Sequence, residues 1–108
     1  MNPKYSEQIY AATVAGKLAD GRKVVTVAGT AEAVVSASTP CRKVVLTAFA
    51  GNTNAVCIGA STVVAALATR RGIPLLASQA LTVYVDDLSK LYIDAITSGE
   101  GVSFAYFI

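Results

Sequence analysis

Residues 42–59, RKVVLTAFAGNTNAVCIG, contain the strongest strand signal in the chain. In RKVVLTAFA (42–50), successive side chains belong to opposite faces of a strand. The two predicted faces are Val44, Leu46 and Ala48 on one side, and Val45, Thr47 and Phe49 on the other. GNTN (51–54) is typical of a turn, because Gly and Asn tolerate positive φ. AVCIG (55–59) is therefore predicted to return beside 42–50 as the second strand of a hairpin.

The rest of the chain continues as short β-rich runs separated by turn residues. Segment 60–72 is ambiguous, and we interpret it as a strand edge followed by a loop rather than as a helical turn. The other predicted strands are KVVTVAG (23–29), AEAVVSAS (31–38), IPLLAS (73–78), ALTVYV (80–85), KLYIDAI (90–96) and GVSFAYFI (101–108). Seven or eight strands spaced by about ten residues predict an all-β fold, either a β-sandwich or a small barrel.

Residues 1–22 differ from the remainder and are predicted to lie outside the sandwich domain, which spans 23–108. Their helical spacing is weak, with Ser6 as a candidate cap and Gly21 as a stop. The same residues are also compatible with an extended arm lying on a neighbouring subunit. The prediction is an N-terminal arm or short helix that becomes ordered only in an assembly.

The composition indicates a chain that buries part of its surface against other protein. Apolar residues make up 54% of the 108 residues, charged residues make up only 15%, and the mean hydropathy is +0.54. Soluble domains carry about 25% charged residues. No apolar run reaches the roughly 18 to 20 residues of a membrane-spanning helix, and the N-terminus lacks the order of a signal peptide. We therefore expect an oligomer or part of a larger assembly, with no membrane partner.

The charged residues and the missing histidine limit the chemistry of the chain. The nine basic residues are scattered and have no aromatic residues interleaved with them, so nucleic-acid binding is not predicted. The chain has no histidine, which removes the commonest general base and the commonest zinc ligand. AGKLADG (15–21) lacks the glycine spacing and the Ser or Thr of a phosphate loop. We predict no catalytic residue, no metal site, no cofactor and no small-molecule substrate, and hence no enzyme.

Three carboxylates, Asp86, Asp87 and Asp94, lie close together in VDDLSKLYIDAI (85–96). Such a group can be an acid–base pair, an ion site or the polar turn between two strands. Asp and Ser favour turns because their side chains bind nearby backbone N–H groups, and Lys90 is the only cation close in sequence. We therefore interpret the three acids as turn residues.

The expected hairpin registers predict which side chains meet. In the first hairpin, Cys57 would face Ala48, and Cys41 would lie well outside that register. Two free, half-buried thiols are therefore predicted, as is usual for a chain folded in a reducing cytosol. In the second hairpin, Tyr84 and Tyr92 would face each other across the turn and stabilise the sheet.

The order of the motifs resembles that of small virion proteins of tailed bacteriophages. The segments that carry the resemblance are VAGTAEAV (27–34), CRKVVLTAFAGNTNAVCIGAS (41–61) and GIPLLASQALTVYVDDLSKLYIDAITSGEGVSFAYFI (72–108). The match covers about residues 27–107 and consists of strand and turn positions. LASQA (76–80) stands where such proteins often have a Pro/Ala-Gly-Glu-Ser turn, so this loop is expected to differ.

The resemblance implies a jelly-roll-like antiparallel β-sandwich that belongs to a phage particle. Small proteins of this kind are capsid decoration (cement) proteins, commonly homotrimers that bind the outer capsid surface and bridge coat subunits. The implied partners are other copies of the chain and the phage major capsid protein. The implied location is the capsid surface of the virion, after synthesis in the host cytoplasm. The alternative is a tail, baseplate or head-fibre and receptor-binding component of the same virion.

Five residues are predicted to contact these partners. Tyr92, Phe104 and Tyr106, on one face of the C-terminal strands, are the candidate anchors of the trimer interface. Arg70 and Arg71 lie in the longest predicted loop and are candidates for contact with an acidic coat surface. The alternatives are core packing for the aromatic residues and a solvated loop tip for the arginines.

Overall fold

The computed structural model describes residues 17–108, which form eight strands and two short 3₁₀ helices. The strands are β1 (Leu18–Val24), β2 (Glu32–Ala33), β3 (Lys43–Ala48), β4 (Val56–Gly59), β5 (Ile73–Leu75), β6 (Ala80–Val83), β7 (Tyr92–Ala95) and β8 (Gly101–Phe107). The 3₁₀ helices are Leu67–Thr69 and Leu88–Lys90. The order β1-β8-β3-β6 forms one antiparallel sheet, the front sheet, and β2-β7-β4-β5 forms the other, the back sheet. The predicted all-β sandwich is confirmed.

The strands pair in a nested order, in which the chain folds back on itself as one long ladder. β1 pairs with β8, β2 with β7, β3 with β6, and β4 with β5. When this ladder wraps around, β3 also comes to lie beside β8, and β4 beside β7. Eight strands joined in this way form a jelly roll.

The alternation predicted for β3 is confirmed, since Val44, Leu46 and Ala48 are buried. The hairpin predicted between 42–50 and 55–59 is wrong. β3 lies in the front sheet between β8 and β6, whereas β4 lies in the back sheet between β7 and β5. The expected facing of Tyr84 and Tyr92 fails for the same reason, because β6 and β7 belong to different sheets.

The turn after β3 is bonded to a distant loop, which explains why it does not close a hairpin. The side-chain amide of Asn52 donates to the carbonyl oxygen of Gly101 at 2.9 Å. The Thr53 N–H donates to Glu100 Oε2 at 2.5 Å. The alternation of apolar and polar residues specifies the two faces of a strand, but it does not determine to which sheet the next strand belongs.

The first strand begins earlier than the sequence predicts. β1 starts at Leu18 and is paired with β8 along its whole length, from Leu18 opposite Phe107 to Val24 opposite Gly101. Residues 18–22, expected in the arm or helix, therefore belong to the sandwich. Lys17, just before β1, accepts a hydrogen bond from the Ile108 N–H at its carbonyl oxygen. The remainder of that prediction, residues 1–16, lies outside the described residues.

Both cysteines are free, as predicted, but they are buried rather than half-buried. The register behind that prediction is wrong, because Cys57 lies opposite Pro74 and Asp94 in the back sheet. Cys41 belongs to the main core between the sheets, whereas Cys57 belongs to a smaller cluster on the outer side of the back sheet. Burial raises the pKa of both thiols above its usual value.

The contact between β1 and β8 is too close for a side chain at two glycine positions. A Cβ atom on Gly101 would lie 2.0 Å from the carbonyl oxygen of Lys23. A Cβ atom on Gly21 would lie 2.7 Å from the ring of Phe104, which extends across it. The pairing of the first and last strands therefore depends on these two glycines.

We predict that Gly101→Ala lowers the free energy of unfolding by about 3 kcal/mol or more, because the Lys23 backbone has to move away from the new methyl group. The matched control is Gly51→Ala, where an added Cβ meets nothing within 4 Å. Urea denaturation followed by circular dichroism compares the two variants with the wild type. Equal midpoints for all three chains would contradict the prediction.

Candidate functional site

The acidic side chains of the described region mainly serve its own loops. Residues 17–108 contain six carboxylates. Four of them accept hydrogen bonds from backbone N–H groups in the connections between strands: Glu32, Asp87, Asp94 and Glu100. Asp86 instead forms an exposed ion pair with Lys90 at 2.8 Å, and Asp20 is exposed on β1. The N–H group of a loop residue has no partner in a neighbouring strand, and leaving it without a hydrogen bond costs free energy. A carboxylate that accepts a hydrogen bond from it removes that cost.

Asp87 joins two connections at the end of the sandwich. It accepts hydrogen bonds from the Ser38 hydroxyl at 2.5 Å and from the Thr39 N–H at 2.8 Å. It also accepts from the N–H and the hydroxyl of Ser89, at 2.9 and 2.8 Å, at the start of the second 3₁₀ helix. These donors, the Ser38 hydroxyl first among them, hold the pKa of Asp87 well below its usual value. The interpretation of Asp87 as a turn residue is confirmed.

Asp94 is buried on the outer side of the back sheet. Its side chain is 0% exposed, with Oδ1 accepting from the Gly29 N–H at 2.9 Å and Oδ2 from the Ala65 N–H at 2.8 Å. One carboxylate thus connects the β1–β2 loop to the β4–β5 loop. The interpretation of Asp94 as a turn residue is wrong, because it lies within β7 and segment 60–72 folds back over it.

Segment 60–72 forms a cover over the back sheet. Its Val63 and Ala65 side chains pack in one cluster with Cys57. The Arg70 guanidinium donates to the carbonyl oxygen of Ala65, from Nε at 3.1 Å and from Nη2 at 3.0 Å. Arg70 therefore closes its own loop, and its contact with a coat protein stays a prediction.

Two glutamates complete the loop network. Glu32 forms an ion pair with Lys23 at 3.0 Å and accepts from the Val27 N–H at 3.0 Å. Burial alone would raise the pKa of Glu32, but the Val27 N–H and Lys23 outweigh that effect, and the net pKa is lowered. The backbone hydrogen bond from Thr53 is the main cause of the lowered pKa of Glu100. Both carboxylates are therefore held in the ionised form.

These acids are arranged for structure rather than for ion binding. Within residues 17–108, no three His, Cys, Asp or Glu side chains are grouped closely enough to hold a metal ion. No helix of the same region is long and apolar enough to cross a membrane. The exposed apolar and basic residues form a second group of candidate functional residues.

The predicted interface residues occupy different environments. Phe104 is a core residue, 7% exposed, which contradicts its prediction as an interface anchor. The ring of Tyr106 lies 6.1 Å from that of Phe104 and packs half-buried against the same core. Tyr92 is half-buried on the back sheet beside Cys57. Arg71 is exposed, and its contact with a coat protein stays a prediction.

The outward side of the front sheet, which we call the front face, carries a different set of side chains. In register across the strands, it presents three rows: Leu18, Phe107 and Lys43; Asp20, Ala105, Val45 and Thr82; Arg22, Ser103, Thr47 and Ala80. Small and β-branched side chains at its centre form a shallow depression lined by Asp20, Val45, Thr47, Ser103 and Ala105. The side chain of Tyr84 is 79% exposed and that of Leu18 is 63% exposed. The front face is therefore apolar at its centre and open to solvent.

Two cations lie over aromatic rings at opposite ends of this face. The Arg22 guanidinium carbon lies 4.7 Å from the ring centre of Phe49. The Lys43 ammonium nitrogen lies 4.7 Å from the ring centre of Phe107. Next to the second pair, Arg42 and Tyr84 complete a small depression. A cation–π contact of this kind restricts the position of the charged group but does not neutralise its charge.

The alternation predicted for β8 is correct, but the predicted interface residues Phe104 and Tyr106 lie on its inner side. The inner residues are Val102, Phe104 and Tyr106, and the outer ones are Ser103, Ala105 and Phe107. The mean polarity of the side chains distinguishes the inner side of β8 from its outer side. The side with Ser103 and Ala105 is the less apolar one, so it is the side expected to face outward.

Comparison with protein-family models, with curated proteins and with solved structures finds no match to this chain. The function must therefore be inferred from the residues and their geometry.

We predict that Asp94→Ala lowers the free energy of unfolding by about 3 kcal/mol, because it leaves the N–H groups of Gly29 and Ala65 without their acceptor. The control is Asp86→Ala, which removes an exposed ion pair of little value. Urea denaturation at neutral pH measures both variants. If the two substitutions shift the midpoint equally, Asp94 does not hold the two loops together.

We also predict that the chain loses stability in acid. Glu32, Asp87 and Glu100 have lowered pKa values in the folded chain, whereas carboxylates of unfolded chains titrate near pH 4. The unfolded chain therefore binds protons first, so the stabilisation is complete above about pH 4 and is lost as the pH falls further. Urea midpoints measured between pH 6 and pH 2.5 should fall, and Glu100→Gln should flatten the decline. A constant midpoint would contradict the assignment.

Proposed function

We propose that the chain is a structural protein of a tailed-phage virion, namely a capsid decoration protein that binds the outer capsid surface as a homotrimer and bridges coat subunits. The observation that carries the proposal is the front face. It is an open sheet surface of mixed apolar and polar side chains, with cations held over aromatic rings, in a chain whose described carboxylates mostly bind its own loops. Such a surface is suited to binding another protein rather than to chemistry.

The fold and the order of the motifs support this proposal. The nested strand pairing is that of a jelly roll, an architecture used by viral capsid domains. The resemblance to small phage virion proteins covers about residues 27–107, so it includes nearly all of the sandwich. Fold alone does not assign a function, and for that reason the proposal depends on the surface as well.

Exposed apolar side chains near the edge of the back sheet support self-association. Ile73 on the edge strand β5 is 51% exposed, Leu76 just after it is 57% exposed, and Leu67 in the preceding loop is 79% exposed. Pro74 in the same strand lacks an N–H donor and so discourages open-ended strand addition. We place the contact between copies at this edge, which we call the β5 edge. A stable contact needs about 800 Å² of buried surface per partner.

We predict that the purified chain is a trimer, with three times the 11.1 kDa chain mass in light scattering combined with size exclusion. Ile73→Asp should yield monomers, because it places a charge in the contact. Val27→Asp makes the same change at an exposed position of the β1–β2 loop and should leave the trimer intact. Monomeric wild type, or a trimer unaffected by Ile73→Asp, would contradict this contact.

Capsid binding tests the proposed function itself. Capsids of the phage that encodes the chain, assembled without it, are mixed with the purified protein and sedimented. We expect saturable binding and added density on the outer capsid surface in electron microscopy. If the chain instead sediments with isolated tails and leaves capsids bare, the tail, baseplate or head-fibre alternative is correct.

A further inference from the structure

The charges of the described residues are unevenly distributed. Arg22 and Lys43 lie on the front face, and Arg42 lies at its edge beside Tyr84 and Phe107. The acid on that face is Asp20, in its middle row. The formal charges of these four residues sum to +2, so this one surface carries as much positive charge as the whole chain has in excess.

The aromatic rings under the cations orient them without neutralising them. Carboxylates pair with Lys23 and Lys90, which lie off the front face, whereas Arg22 and Lys43 lie over Phe49 and Phe107. A cation over a ring keeps its charge and remains able to attract an anion.

Within residues 17–108, a second copy of the chain offers no acidic patch to match this face, since its exposed Asp20 lies among the cations of the front face itself. Glu32, Asp87, Asp94 and Glu100 already accept hydrogen bonds from their own loops. Asp86 is neutralised by Lys90. Two front faces brought together would place like charges opposite one another, which opposes association. The occupant of the front face is therefore a different molecule that supplies the negative charge.

The apolar part of the face selects among acidic partners. Leu18 and Tyr84 are largely exposed, and Val45 and Ala105 line the central depression with Asp20. A nucleic-acid backbone would bring phosphates against Asp20 and would leave the apolar side chains without a counterpart. An acidic protein surface with an apolar centre satisfies both the cations and the apolar residues.

We infer that the front face is the capsid-binding surface, and that its partner is an acidic patch with an apolar centre on the outer side of the major capsid protein. This inference rests on the proposed function and names the surface that performs it. The β5 edge then remains for contact between copies, so that one chain uses two separate surfaces.

Charge reversal on the front face tests the inference in the capsid sedimentation assay. Lys43→Glu and Arg22→Glu should each weaken binding on the order of tenfold or more, since each places a like charge against the acidic patch. The matched control Lys90→Glu makes the same charge change off the face and should bind within about twofold of the wild type. Arg71→Glu tests the rival contact in the β4–β5 loop. Asp20→Asn should tighten binding, because it removes the repelling carboxylate. Wild-type binding should also weaken with added salt.

Each outcome separates the inference from the function on which it rests. Circular dichroism and light scattering first verify that every variant keeps the fold and the oligomeric state of the wild type. If the wild type binds capsids and both front-face variants bind equally well, the surface assignment is wrong and the decoration function stands. If Arg71→Glu alone abolishes binding, the capsid contact lies in the β4–β5 loop instead. If the wild type ignores capsids but binds a 30-base-pair DNA duplex in a Lys43-dependent way, both proposals fail.

Discussion

The main constraint on this sandwich is that backbone N–H groups need hydrogen-bond acceptors where the chain crosses from one sheet to the other. A jelly roll of short strands has many such crossings, and the N–H groups there lack a ladder partner. Asp87 serves the connections before β3 and before β7. Asp94 serves the crossing after β1 and also the β4–β5 connection within the back sheet. Glu100 fixes the turn that carries the chain from β3 to β4. These few side chains determine where the loops lie, and the loops determine which surfaces stay open.

The same use of acids shapes the electrostatics of the surface. Four of the described carboxylates are held in the loops by backbone N–H groups, whereas Arg22 is exposed on the front sheet and Lys43 is half-buried there over Phe107. A weakly charged sequence, with nine basic and seven acidic residues, thereby produces one face of a definite sign. Long-range attraction of this kind mainly determines how fast and in which orientation a partner arrives. The apolar centre between the cations supplies the contact area.

The sequence predicts the fold class well because alternation is a local signal. The buried side of β3 and the inner side of β8 follow directly from their apolar periodicity. The pairing of strands is not local, and for that reason the hairpin predicted around residues 51–54 is wrong. That turn is held by Glu100, nearly fifty residues later in the chain. The prediction of Asp94 as a turn residue is wrong because segment 60–72, which covers it, is distant in sequence. The prediction of Phe104 as a surface anchor is wrong because aromatic residues are common both at interfaces and in cores.

The two buried thiols determine how the chain responds to a change of redox environment. Cys41 and Cys57 lie in separate clusters, one between the sheets and one outside the back sheet. Their raised pKa values leave little thiolate at neutral pH, and the thiolate is the form that reacts with oxidants and disulfides. A move from reducing to oxidising surroundings would therefore leave the covalent structure of this sandwich unchanged. Its durability under oxidising conditions depends on packing and hydrogen bonds, with no contribution from cross-links.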